Sequence, residues 1–132
     1  MFQSIDQLHD GASSFQLGTS THPCTVVFGV SRFDEGKAYR SIKITCPEMQ
    51  LFKDYDAESE AHPLVKTYND TQFVTLKLPS THHALGELVR GVAFLAIITP
   101  KPWKVGPLSG ISLCIEGVKI INKPMRDLVF IE

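Results

Sequence analysis

Two apolar, strand-like runs at residues 91–99 and 110–121 flank the segment 100–104, whose sequence is Pro-Lys-Pro-Trp-Lys. This segment constrains the fold because proline donates no backbone hydrogen bond, so two prolines keep it out of the interior of a sheet. A stretch containing glycine and proline follows and extends the break. We therefore expect a loop between the last two strands, with the single tryptophan, Trp103, in that loop.

Alternating apolar and polar residues predict three earlier strands. The runs at 24–33 and 39–46 flank a turn at 34–37 and together predict a β-hairpin, and residues 73–78 form the third strand. The side chains predicted to face inward are Val26, Phe28, Val30, Ile42, Ile44, Cys46, Val74, Leu76 and Leu78.

The rest of the chain supplies one helix and several connections. Ser80 is typical of a helix N-cap, and apolar residues at helical spacing predict a short helix over 81–89. The segment 47–71 is acidic and rich in breakers, which predicts a long acidic loop that is either functional or mobile. Residues 1–14 are expected to be a flexible lead-in, and 128–131 a strand that pairs with the edge left by the N-terminal segment.

The predicted order is three strands, a helix and two strands, which is typical of the oligonucleotide/oligosaccharide-binding fold, the OB-fold. We expect a mostly β protein with a single five-stranded, OB-fold-like barrel and one short helix between strands 3 and 4. One domain spanning residues 1–132 would hold all of it. Other five-stranded β arrangements remain open.

Composition excludes several classes of protein. A hydrophobic content of 43% and a charged content of 20% are typical of a soluble globular protein rather than a disordered one. No apolar run is long enough to span a bilayer, and the first residues lack the features of a secretory signal, so we expect an intracellular protein with no membrane partner. The three cysteines argue against a disulfide framework or a zinc knuckle.

Charge is distributed unevenly along the chain. The net charge is −1, but five acidic residues and one lysine fall within 48–60, whereas 90–126 holds six basic residues and only one acid, Glu116. Phosphates respond to the local field rather than to the total charge. The sequence is therefore compatible with a nucleic-acid partner.

Aromatic and basic residues recur together on the predicted outer faces of neighbouring strands. Tyr39 is followed four residues later by Lys43, and Phe73 by Lys77. Unpaired bases stack on exposed rings and phosphates are attracted to lysine and arginine, so these positions form a candidate groove. The groove is completed by Lys101, Trp103, Lys104, Arg32 and Arg40, although the two arginines fall on the opposite parity from the aromatic residues.

Two structural alternatives compete with this interpretation. Tyr39 and Phe73 could instead pack under the long loop or in a dimer interface. Trp103 could close the bottom of the barrel, with its N–H bonded to a carbonyl. Motifs of catalysis are missing, since the chain has no Gly-x-Ser-x-Gly elbow, no P-loop and no Gly-x-Gly-x-x-Gly, so we expect no enzyme, no catalytic residues, no metal and no cofactor.

Residues 94–103, followed by the runs 109–113 and 117–120, resemble the closing hairpin of phage-type single-stranded-DNA-binding proteins. In that family a strand ends in a segment of proline and aromatic residues, and a strand beginning Gly-hydrophobic-Ser-Leu closes the barrel. The resemblance implies an OB-fold protein that coats exposed single strands during replication, recombination or repair. Many members end in a flexible acidic tail, whereas residues 126–132 look like a folded strand, so recruitment of enzymes through a tail is in doubt.

We therefore expect a viral or cellular protein that binds and protects single-stranded DNA with little sequence preference, and RNA remains open as a second partner. Its expected partners are copies of itself and enzymes of replication or recombination. The alternative is a small β-rich structural or assembly protein, such as a virion component or an adaptor, that uses the same face to self-associate. A small enzyme with the long loop as a lid is a third possibility.

Overall fold

The computed structural model describes residues 14–30 and 36–122. Within these residues the chain forms seven strands and one helix in this order: β1 (Phe15–Leu17), β2 (Cys24–Phe28), β3 (Tyr39–Thr45), α1 (Met49–Glu58), β4 (Val65–Tyr68), β5 (Thr71–Pro79), β6 (Ala93–Val105) and β7 (Leu108–Asn122). Most of the predicted lead-in, Arg32 and the predicted strand at 128–131 lie outside the described residues.

Five of the strands close a ring of pairings. β2 pairs with β3 and β6, and β3 pairs with β5, all antiparallel. β7 completes the ring because it runs antiparallel to β6 and, over a short stretch, parallel to β5. β1 adds to β6, and β4 adds to β5. The prediction of a mostly β protein is confirmed, and the described residues form seven strands, of which five make the ring.

The core comes from alternate positions of these strands. On β3, Ile42 and Ile44 are completely buried whereas Tyr39 is 53% exposed. On β5, Leu76 and Leu78 are also completely buried. Alternation of this kind buries one face of each strand and leaves the other for water or a ligand. The antiparallel pairing predicted for β2 and β3 is confirmed, with Val26 opposite Ile44 in the register and therefore on the core side, whereas residues 34 and 35 of the predicted turn lie outside the described residues.

The helix predicted over 81–89 is wrong. This segment forms successive turns, in which Leu85 donates to the carbonyl of His82 and Glu87 donates to that of Ala84. Such bonds span three residues rather than the four of an α-helix. A short segment carrying two histidines and Gly86 has little helix propensity of its own, and Leu88 is buried in the core without requiring a helix.

The long acidic loop predicted over 47–71 is also wrong, because this segment contains α1 and β4. Phe52 and Tyr55, three residues apart, are buried on one side of α1. The surrounding acidic residues obscured this short apolar spacing. Asn69 and Asp70 both have positive φ, at 49° and 64°, which is the backbone of a type I′ hairpin turn between β4 and β5.

The Pro-Lys-Pro-Trp-Lys segment is not a loop but the second half of β6, paired with β7 from Pro100 opposite Leu113 to Val105 opposite Leu108. Pro100 and Pro102 are two positions apart, so their nitrogens lie on the same edge of the strand. Beyond Thr99 the only strand paired with β6 in the described chain is β7. The prolines are tolerated because no strand of the described chain pairs with the other edge of β6 at these positions.

A tight turn joins β6 to β7. Gly106 has a φ of 59°, and the following proline is restricted to negative φ, so the pair fits a type II′ turn. Within the described part of the chain, no helix combines the length and the hydropathy needed to cross a bilayer.

Candidate functional site

The outward faces of β3, β5, β7 and β6 align through the strand register. Ser41 lies opposite Lys77, and Lys77 lies opposite Cys114 on the next strand. Lys101 of β6 lies opposite Ser112, two positions before Cys114. The ladder therefore carries one polar, lysine-bearing face across four strands.

Three concavities lie along this face and share their walls. Their volumes are about 470, 240 and 200 Å³. Lys66 lines the first and the second, whereas Lys77, Trp103 and Ser112 line the second and the third. We call the three cavities together the outer groove.

The lining of the outer groove has a single sign of charge. Its ionised side chains are the four lysines Lys43, Lys66, Lys77 and Lys101. Its rings are those of Phe28, Tyr39, His62, Tyr68, Phe73 and Trp103. Among the described residues that line it, none is aspartate or glutamate. Such a concave surface concentrates positive potential next to aromatic rings.

Trp103 is half-buried and lies in the walls of the second and third cavities. Its ring lies across Gly110, the residue opposite it on β7, and its centroid is 6.2 Å from that of His62. The indole is therefore held on the outer surface of the β6–β7 hairpin, at the side of the groove. Its position differs from the barrel-closing alternative that the sequence left open.

Phe73 was predicted to be an exposed stacking ring, and that prediction is wrong, because the side chain is only 4% exposed. Phe28 packs edge-on against it with ring centroids 5.9 Å apart, and Lys43 Nζ lies 5.9 Å from the ring centroid. β4 adds a second cover, since Lys66 lies opposite Phe73 in the register. Phe73 therefore forms part of the wall of the first cavity and is not an exposed surface on which a base can stack.

Three further predicted residues fall outside the groove. Arg40 lies opposite the buried Leu78, on the core-facing parity of β3, and its Nε is buried with no hydrogen-bond partner among the described residues. Lys104 is exposed but lies on the opposite face of β6 from Lys101 and Trp103, and it does not line the groove. Arg32 lies outside the described residues. The predicted residues that the structure brings together are Tyr39, Lys43, Phe73, Lys77, Lys101 and Trp103.

Sequence reasoning missed Phe28, which it placed in the core. The register shifts between Val26, which lies opposite Ile44, and Phe28, which lies opposite Lys43, so two residues of β2 advance against one of β3. A bulge of this kind turns the following side chain to the other face of the sheet. Phe28 therefore lines the groove beside Lys43.

Lys66 and Tyr68 were missed because β4 was predicted as loop. Both lie on one face of β4, and Tyr68 is 59% exposed. The signal was present in the sequence, since an alternating Val-Lys-Thr-Tyr run precedes the Asn-Asp pair of the hairpin turn. The strand is held at its start by Asp56, whose two carboxylate oxygens accept the backbone N–H groups of Leu64 and Val65.

Two buried thiols lie away from the groove. Cys24 and Cys46 contact each other, and a hydrogen bond between them, reinforced by burial, raises the pKa of Cys46 far above its usual range. The Cys46 sulfur is thus kept as a thiol, which makes it a poor nucleophile and a poor metal ligand. Over the described residues, no group of three or more histidine, cysteine or acidic side chains is placed to hold a metal ion.

No protein-family model matches this sequence, and no curated protein and no solved structure shows significant similarity to it. The outer groove itself is therefore the basis for a functional conclusion, because what a protein binds depends on the chemistry of its site rather than on its fold.

Proposed function

We propose that the protein binds single-stranded nucleic acid, and DNA in particular, along the outer groove. The observation that carries the proposal is the lining of the groove, which contains four lysines and six aromatic rings and no acidic residue of the described chain. Lysines attract phosphates, and rings stack on unpaired bases with little regard to sequence. A role in replication, recombination or repair follows from the resemblance of the closing hairpin and is part of the proposal.

We further propose that the ring of strands is an OB-fold-like barrel. The ring strands β6, β2, β3 and β5 stand in the spatial order 4-1-2-3 of a Greek key, and β7 joins the two ends. An OB-fold is a five-stranded, partly open Greek-key barrel, so this order supports the proposal. One departure is that α1 lies between the second and third ring strands, whereas the expected helix lies between the third and fourth.

The acidic residues do not oppose this proposal. Three of the five acidic residues within 48–60 lie on α1, and one of these, Asp56, accepts two backbone hydrogen bonds at the start of β4. The carboxylate of Asp56 therefore binds backbone N–H groups and does not line the groove. The net charge of −1 therefore does not describe the field at the groove.

The lining of the groove predicts both the strength of nucleic-acid binding and its dependence on salt concentration. Each phosphate neutralised on a single strand contributes about −0.7 to the slope of log K against log salt, so four lysines predict a slope of about −3. Each base that stacks on an exposed ring adds about 1–3 kcal/mol. Tyr39 and Tyr68 are exposed and Trp103 is half-buried, so these rings have accessible surface for this role.

Titration with single- and double-stranded oligonucleotides at several salt concentrations tests the proposal. Single strands should quench Trp103 fluorescence, bind more tightly than duplex and show the predicted salt slope. Lys77→Gln should weaken binding and flatten the slope. The matched control is Lys119→Gln, since Lys119 lies on β7 but lines a different cavity. The absence of binding at low salt, together with a defined oligomer, would instead favour an assembly protein.

A further inference from the structure

We infer that the first cavity of the outer groove is a pocket for one unstacked nucleotide, with its base between aromatic side chains and its phosphate at two lysines. We call this cavity the β4 pocket; its lining consists of Phe28, Gly29, Lys43, Lys66, Thr67, Tyr68 and Phe73. The inference rests on the proposed function and assigns one part of the groove a distinct task.

The β4 pocket is built by two features that the ring of strands does not require. The first is β4, which stands outside the ring and pairs only with β5 among the described strands. The second is the bulge in β2, which turns Phe28 away from the core. Without either feature a flat sheet surface would remain, so the concavity depends on these local departures.

The aromatic side chains form three sides of a box. Phe28 is nearly perpendicular to Phe73, at 87°, and steeply inclined to Tyr68, at 74°, with centroids 5.9 Å apart in both pairs. Phe73 is buried, whereas Tyr68 is mostly exposed. The box thus has fixed inner walls and one outer wall with room to adjust to a planar ligand.

The positive charge at the rim of the box determines which class of ligand it can bind. Aromatic cages often bind ammonium groups, but Lys43 Nζ already lies 5.9 Å from the centre of the Phe73 ring, and Lys66 adds a second positive charge. A cationic ligand would be repelled. A planar ring can stack on the aromatic walls, and an anion attached to it can pair with the two lysines. A nucleotide combines both groups.

Volume agrees with this assignment. The pocket is an open cavity of about 470 Å³, within the range of about 300–1,000 Å³ typical of small-molecule sites. A base that enters it must leave the stack, which costs a few kcal/mol in a duplex and least in a single strand. The β4 pocket would therefore contribute to discrimination against double-stranded DNA as well as to affinity.

The nucleotide pocket can be tested with oligonucleotides in which one base at a time is missing. A length series first identifies the shortest oligo-dT that binds with full affinity, because a short strand cannot shift its register without losing contacts. A single abasic site is then moved along it. We expect one position at which the loss is about fivefold or more, the equivalent of one stacked base.

The variant Tyr68→Ala should abolish that position-specific loss. Tyr39→Ala is the matched control, because Tyr39 is similarly exposed but lines the third cavity, and it should retain the loss. A uniform loss at every position, or a position-specific loss that persists in Tyr68→Ala, would overturn the inference while leaving strand binding by the groove intact.

Free dTMP and dAMP distinguish a strand-borne nucleotide from a soluble one. Either compound, titrated against the whole protein, should shift the NMR signals of the Tyr68 ring but not those of Tyr39. If strands fail to bind but these shifts appear, the proposed function is wrong and the nucleotide pocket stands. If strands do not bind and free nucleotides leave the Tyr68 signals unchanged, both the proposed function and the nucleotide pocket are wrong.

Discussion

Trp103 lies against Gly110, its partner on β7, so closely that a Cβ at Gly110 would stand 2.5 Å from Cζ2 of the indole. Only glycine leaves room for the ring in this position. The contact keeps the indole flat on the hairpin and lets its edge and its other face border the groove. The pairing of a glycine with an aromatic residue across two strands is a known way to protect exposed glycine backbone.

Replacement of Gly110 by alanine should displace the indole ring, because a separation below 3.0 Å forces one of the two groups to move. We expect a red-shifted Trp103 emission, weaker strand binding and a loss of about 1 kcal/mol in the free energy of unfolding, at the low end for overpacking. Gly117→Ala is the control, since a Cβ there would be 3.9 Å from Ile97. Equal emission spectra in both variants would show that the indole does not depend on Gly110.

Phe73→Ala should reduce the free energy of unfolding by about 3 kcal/mol, since it empties a buried aromatic site. Tyr68→Ala should cost about 1 kcal/mol or less, because Tyr68 is 59% exposed and loses mainly an edge-to-face contact with Phe28. Urea denaturation measures both values. Similar losses in the two variants would contradict the assignment of Phe73 as wall and Tyr68 as surface.

Lys101 and Lys104 lie on opposite faces of the same strand, which makes them a matched pair. Lys101 lines the groove and Lys104 does not. Lys101→Gln should therefore reduce the magnitude of the salt slope by about 0.7, the value for one phosphate contact on a single strand. Lys104→Gln should leave the slope unchanged. Equal effects would mean that the strand passes over both faces of the hairpin.

The buried thiol of Cys46 should make stability fall in alkaline solution. Contact with Cys24 and burial raise its pKa in the folded state, whereas an unfolded cysteine ionises near about 8.5. Its contribution is therefore complete below about pH 8.5, and above it the unfolded chain gains about 1.4 kcal/mol of relative stability per pH unit.

Urea midpoints between about pH 7 and 10 measure this fall. Cys46→Ala should show a shallower decline than the wild type, and Cys114→Ala should follow the wild type, because Cys114 is not part of the Cys24–Cys46 contact. A decline in Cys46→Ala as steep as that of the wild type would assign the alkaline sensitivity to other groups.

The strands that sequence reasoning predicted best are those in which one face is fully buried. Ile42 and Ile44 on β3, and Val74 and Leu76 on β5, alternate with polar residues and occupy the core as expected. A one-residue error in such strands would expose the whole apolar set, so the pattern specifies the register strongly. Lys43 and Lys77 on the outer faces were placed correctly for the same reason.

The errors arose where long-range packing outweighed local pattern. The rule that excludes proline applies to strands paired on both edges, and Pro100 and Pro102 lie where β6 has one paired neighbour among the described strands. Phe28 changed faces through a bulge that alternation alone does not reveal. Leu88 is buried from a run of turns, so its apolar spacing reflected burial and not a helix.

A backbone hydrogen bond of 2.7 Å runs from the N–H of His62 to the carbonyl of Ser109. It fastens the connection between α1 and β4 to the β6–β7 hairpin, and the rings of His62 and Trp103 meet beside it. The hairpin cannot swing outward without breaking this bond or drawing that connection with it. The His62 side and the Trp103 side of the groove are therefore joined to each other, and the width of the groove at this point is set before a ligand binds.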